Sequence, residues 1–188
     1  MLAESKQAIS LEAYEAFLGL PENEGHVFEL IDGEIIEKVT NEEHAVICAL
    51  VVGELYIYLK INACGRLKVE ARYRADDDEQ NDRIPDISFT HNDRIQPLTR
   101  GGAVLQMPDL AVEIKSPRDT YTRMREKAAY YLAHGVQMVW LIFPEKRVVE
   151  VHRADADILL LTLADDDQIE GGALLPGFTL PLRAIFPT

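Results

Sequence analysis

The stretch from Met107 to Pro117 (MPDLAVEIKSP) constrains the fold more than any other. It is an apolar run of strand length, closed by Ser116-Pro117, with two opposite charges set into its end. Successive side chains on a strand alternate between faces. Glu113 and Lys115 therefore share one face, and Leu110, Val112 and Ile114 take the other. Flanking helical patterns mark such a strand as central in an α/β sheet. Charges there cost free energy unless they are paired or bind a ligand. A structural ion pair at the strand end would meet that need. So would a metal-ligand carboxylate beside a lysine that handles a phosphate or a water, and this stretch alone leaves both readings open.

A chain of 188 residues suits one domain, residues 1–188, with a sizeable core. No apolar run of about 18 residues interrupts the pattern, so no membrane span is expected. The N-terminus lacks the basic-then-apolar layout of a signal peptide. Cys48 and Cys64 are too few for a disulfide framework or a four-cysteine zinc site, and they read as reduced thiols of a cytoplasmic protein. The net charge of −13 opposes indiscriminate binding to phosphate backbones. The balance reverses locally. Between 113 and 127, Lys115, Arg118, Arg123, Arg125 and Lys127 outnumber Glu113, Asp119 and Glu126.

Read in order, Ser10 caps a short helix ended by Gly19 and Pro21. Residues 26–31 and 34–39 form a hairpin around Asp32-Gly33. A long helix follows from about Glu43 to Ala63, its apolar stripe opened by His44 and its end marked by Gly65. A histidine so placed reads first as a packing residue. Strands are expected at 66–74 and 83–90, then the central strand, then a helix from Asp119 to His134. The run 136–143 is nearly all apolar, as a buried parallel strand requires, and completes a βαβ unit. A further hairpin (148–153 with 158–163) and a proline-punctuated tail close the chain.

Asp86 supplies a second carboxylate. If its strand runs antiparallel beside the central one, Asp86 and Glu113 converge at the same end. Two carboxylates, a backbone carbonyl and waters suit Mg²⁺, which lowers the pKa of a bound water and polarises a phosphate. Lys115 would orient that water or neutralise charge on the phosphoryl oxygens. The rival Asp109 lies four residues before Glu113 on the same strand, about 13 Å away and too far to share an ion.

Pro85-Asp86, then Glu113-Ile114-Lys115, resembles the PD-(D/E)xK motif of the nuclease superfamily. More closely, the chain resembles the bacterial restriction endonuclease family with the restriction endonuclease type II-like fold. The ordered series that carries this begins with Phe28-Glu29-Leu30-Ile31-Asp32-Gly33-Glu34 and His44. It continues through Pro85-Asp86-Ile87, Glu113 to Pro117, Lys127, Tyr130 or Tyr131, Gly135-Val136 and Trp140, and ends at Pro176-Gly177-Phe178. The resemblance implies an α/β (α+β) fold, a mixed central sheet flanked by helices with N-terminal and C-terminal hairpins.

It also implies metal-dependent hydrolysis of DNA. Asp86 and Glu113, helped by the Ile114 carbonyl, would hold Mg²⁺, with Mn²⁺ as a substitute, and Lys115 would position the attacking water. Glu34 and His44 match positions flanking the cleft, and Lys127 would reach a phosphate or stand as a solvated helix residue. For Glu29 and Glu34, surface charge on the hairpin is an equal alternative. A homodimer would let both strands be cut. Two other readings compete: a catalytically inactive nuclease-fold module that binds nucleic acid or a protein, and a hydrolase of another phosphoester.

Overall fold

Asp32 and Gly33 both adopt positive φ, 50° and 76°, which is the tight turn that an Asp-Gly pair favours. In the computed structural model, which describes residues 8–186, they close a hairpin of β1 (Val27–Ile31) and β2 (Glu34–Lys38). It is preceded by α1 (Leu11–Leu18), where the Ser10 side chain accepts a hydrogen bond from the Ala13 N–H as its cap. After the hairpin, α2 (Glu42–Asn62) is capped by Asn41. It ends on Ala63 in the left-handed conformation, not at Gly65.

Gly65 instead opens β3 (Gly65–Val69). A Cβ there would stand 2.3 Å from the Phe89 ring and 2.4 Å from the Thr90 carbonyl. The strand expected over 66–74 stops at Val69, because Glu70 turns the backbone to φ 49°. Tyr73 then forms only isolated bridges, to Arg83 and to Val104. The next strand is shorter than expected too: β4 covers Ile87–His91, leaving Arg83 to Asp86 outside the ladder.

The central strand β5 (Leu110–Ile114), helix α3 (Tyr121–Ala133) and β6 (Met138–Phe143) make the expected βαβ unit, with β5 and β6 parallel. Strands β7 (Val148–Arg153) and β8 (Leu159–Thr162) follow as a hairpin. The six-stranded sheet has the order β3-β4-β5-β6-β7-β8 and is antiparallel except at β5/β6. A small C-terminal hairpin pairs β9 (Gln168–Glu170) with β10 (Thr179–Pro181).

The two faces of the sheet carry different cores. Leu110, Val112 and Ile114 pack with Ile47, Val51 and Leu55 of α2 and with the C-terminal hairpin. Ala111, Val139 and Leu141 pack with Met124, Ala128 and Tyr131 of α3. By length and hydropathy α2 is apolar enough to cross a membrane, but here one side of it is core. Its other side leaves Val46, Leu50, Ile57 and Ile61 exposed. The alternation read from the sequence therefore puts Glu113 on the α3 face of the sheet.

Replacing Gly65 by Ala should destabilise the fold by about 1–3 kcal/mol, because the new methyl group meets ring and backbone atoms that cannot both retreat. The urea midpoint of Gly65→Ala against the parent measures this.

Candidate active site

The register of β4 on β5 pairs Ile87 with Val112 and Ser88 with Ala111. One further step along that register puts Asp86 across from Glu113. The chain just before Asp86 is fixed by side chains in place of strand partners. The Ile84 N–H donates to Glu29 Oε1 (2.8 Å), and the Ile84 carbonyl accepts from Lys38 Nζ (2.6 Å). Asp86 Oδ1 accepts from the same ammonium (2.7 Å). Its Oδ2 accepts from the Ile114 N–H (2.7 Å) and lies 3.1 Å from His44 Nε2. Burial by itself would raise this carboxyl, but the Lys38 charge and the His44 contact outweigh it and hold Asp86 well below the usual carboxylate range.

Glu113 sits in the other half of the cluster. Its Oε1 accepts from the Tyr131 hydroxyl (2.7 Å) and its Oε2 from Lys127 Nζ (3.2 Å). Lys127 is closer to Glu29, at 2.8 Å. One ammonium thus serves two buried carboxylates, and Glu29 has the better share plus a backbone donor. Against burial, Lys127 and Lys38 hold Glu29 below its ordinary value. For Glu113, burial dominates over both lysines, and with Asp86 and Glu29 as like-charged neighbours its carboxyl is pushed up to about 7. Burial would lower the two lysines, yet the surrounding carboxylates hold both above their ordinary range and so charged.

Of the residues picked from the sequence, Asp86, Glu113, Ile114, His44 and Lys127 come together here. Lys127 is buried between Glu29 and Glu113, which corrects the solvated alternative. His44 is buried against Asp86 and is more than packing. Glu34 lines the same cleft from an exposed position on β2. Lys115 does not join the cluster. Its ammonium pairs with Glu145 (2.7 Å) and lies over the Tyr121 ring. Sharing a face with Glu113 put it over α3, but at the helix's N-terminal end beside Tyr121, where Glu145 competes for it.

Asp109 is spent on Arg94, Gln137 and the His91 N–H, in keeping with its exclusion. Sequence reasoning missed Lys38, and treated Glu29 as equally a surface charge, whereas it is 1% exposed. A signal existed. Glu29 lies opposite Ile36 in the hairpin, so Glu29, Ile36, Glu34 and Lys38 share one face. Which face meets the protein is not written in the hairpin itself.

These groups line a cleft of about 1180 Å³ that also takes in Arg83, Ser116, Arg118, Arg123 and Tyr130. Among the described residues, no three or more His, Cys, Asp or Glu side chains are grouped to hold a metal. A closed all-protein cage is therefore absent there. Asp86, just before β4, and Glu113 on β5 are nonetheless two hard oxygen donors beside open space, a set that fits Mg²⁺, which keeps several waters of its own.

A family model described as "Uma2: Putative restriction endonuclease" matches residues 13–183. The chain belongs to the Uma2 family. A solved structure from Anabaena variabilis ATCC 29413, described as a putative nuclease of DUF820, is similar at 28% identity and a TM-score of 0.79. The match covers 95% of this chain and 97% of that one. No curated protein matches. For this Uma2 chain the fold is thus nuclease-like, with a mixed sheet and helices on both faces.

The raised Glu113 carboxyl has a consequence for stability. A group whose pKa rises on folding gives stability that is complete below its unfolded value and lost as pH climbs through the folded one. For Glu113 that window runs from 4.5 to about 7. Glu113→Gln does not titrate, so its advantage in Tm over the parent should be several degrees larger at pH 8 than at pH 4.5. Thermal melts in EDTA measure it. An equal difference at both values would show that Glu113 ionises normally.

Proposed function

We propose that this Uma2 protein is a metal-dependent endonuclease that hydrolyses DNA phosphodiester bonds. The observation that carries the reading is the convergence of Asp86, just before β4, and Glu113, on β5, in a cleft, with ammonium groups against both. The family's description and that of the Anabaena protein support a nuclease role.

Asp86 and Glu113, with the Ile114 carbonyl, would hold Mg²⁺, or Mn²⁺ in its place. When bound, such an ion supplies a water of lowered pKa and polarises the phosphate. The chain's own groups do the rest. His44 and the Ile114 N–H fix the Asp86 carboxylate, and Tyr131 fixes that of Glu113, so both are oriented before substrate arrives. Lys38 and Lys127 offset negative charge as it builds on the phosphoryl oxygens. Lys115, the lysine of the linear motif, is held by Glu145, so Lys38 is the ammonium best placed to act beside Asp86.

A homodimer, setting one cleft on each strand of a duplex, is part of the proposal. Leu159 and Leu160 on the edge strand β8 are exposed apolar surface for it, whereas β6 is buried inside the sheet.

A second reading is a nuclease fold kept only for binding. It draws on the donors that already engage both oxygens of each carboxylate, and on the net charge of −13. Calorimetry with Mg²⁺ or Mn²⁺ and cleavage of mixed DNA substrates separate the two. The parent should bind the ion and cut. Asp86→Asn should lose both, with cleavage down at least about 100-fold. Oligonucleotide binding without cleavage under any divalent ion would favour the binding module.

The lysine assignment has its own test. Lys38→Met should lower kcat by about 100-fold or more, while Lys115→Met should stay within about tenfold of the parent. The reverse order would return the role to Lys115.

A further inference from the structure

Arg83 is the only arginine fully buried among the described residues, at 4% exposed. Three half-buried arginines have carboxylates: Arg72 and Arg74 share Asp82 and Glu15, and Arg94 has Asp109. Arg83 has no carboxylate partner among the described residues, and its Nε is buried with no hydrogen-bond partner. The neighbouring Asp82 is committed to Arg72 and Arg74.

What holds Arg83 in place is geometry. Its backbone pairs both ways with Tyr73, and its guanidinium lies over the Tyr130 ring, 4.3 Å from the centroid. The Tyr130 hydroxyl is anchored in turn on Asp78 (3.0 Å). A cation over an aromatic face gains about 2 kcal/mol when desolvated, less than the several kcal/mol that burying an unpaired ion costs. The shortfall is what an anionic ligand would make good. The side chain borders the same cleft as Asp86, Glu113 and Lys127. It lies three positions before Asp86, so the two Cα atoms are within about 11 Å.

We propose that Arg83 is a phosphate-binding site. Its planar fork takes a non-reacting phosphodiester of the nucleic-acid strand, beside the one held at Asp86 and Glu113, and Tyr130 keeps the fork edge-on to the cleft. The proposal rests on the reading of the cleft as a nuclease site for the strand's path. The anion site itself rests on Arg83 alone.

The test is run on the full chain in EDTA, where no cleavage occurs. The probes are inorganic phosphate and a short single-stranded oligodeoxynucleotide. The Arg83 Nε–Hε cross-peak in the ¹⁵N spectrum of the parent reports the site directly, and fluorescence anisotropy of the oligonucleotide gives affinity. Both probes should move the cross-peak. Arg83→Met, which keeps the aliphatic stem on Tyr130, should weaken the oligonucleotide at least about tenfold and reduce the salt slope by about 0.7. Arg83→Lys should recover the slope but only part of the affinity.

If neither probe moves the peak and Arg83→Met binds as the parent does, the proposal is overturned. Movement with phosphate alone overturns the nucleic-acid strand as occupant and leaves a free phosphate or nucleotide. Oligonucleotide binding through Arg83 with no cleavage under Mg²⁺ keeps the site and removes the nuclease reading. Cleavage with an unchanged KM in Arg83→Met removes the site and keeps the nuclease. Should Arg83→Met fail to fold by circular dichroism, the parent cross-peak still decides.

Discussion

Three carboxylates and two ammonium groups share one desolvated space: Glu29, Asp86 and Glu113 with Lys38 and Lys127. Separated in that space, each charge would cost several kcal/mol, and only mutual pairing with extra hydrogen bonds makes burial tolerable. The surrounding architecture answers to that requirement. The hairpin β1/β2 is tied across Ile84 by Glu29 and Lys38. Helix α3 is oriented so that Lys127 and Tyr131 reach the sheet, and α2 begins where His44 reaches Asp86. Removing either ammonium would leave buried carboxylates uncompensated, so the cluster is a structural keystone as well as a candidate site.

The cluster is also unevenly served. Asp86 is over-determined by a lysine, a histidine and a backbone N–H, while Glu113 shares its lysine with Glu29. Two carboxylates of the same chemistry are therefore held in different electrostatic states, one firmly ionised and one balanced near neutrality. Such a pair can respond when a cation or a phosphate enters the cleft, which a uniformly satisfied ion-pair network would not. The acidic balance of the whole chain acts differently. It repels nucleic acid at large distances, and screening leaves the local arginines and lysines to act at contact.

The alternation around Glu113 was legible because strand geometry has a fixed period. It fixed which face Glu113 takes, and simple distance along the strand ruled out Asp109 as a partner. The same alternation placed Lys115 beside Glu113, and there it misled. Facing the same way does not fix where a long, flexible side chain ends, and Glu145, thirty residues on, captured the ammonium. Strand length was misread for a local reason as well. Positive φ at Glu70 cut short β3, a backbone choice that no side-chain pattern in 66–74 announces.

By itself, then, the sequence determined most of the elements and the parallel β5/β6 pairing through α3, and it showed that Asp86 and Glu113 would meet if their strands ran antiparallel. Each follows from periodicity, turn chemistry or register, which are local or nearly so. Tertiary structure alone decided which charges are buried and with whom. Glu29 and Lys38 reach Ile84 across 55 and 46 residues, and Arg83 lost its carboxylate to two neighbours. Burial and pairing are competitions among groups far apart in the chain, and their outcome depends on packing that no single stretch contains.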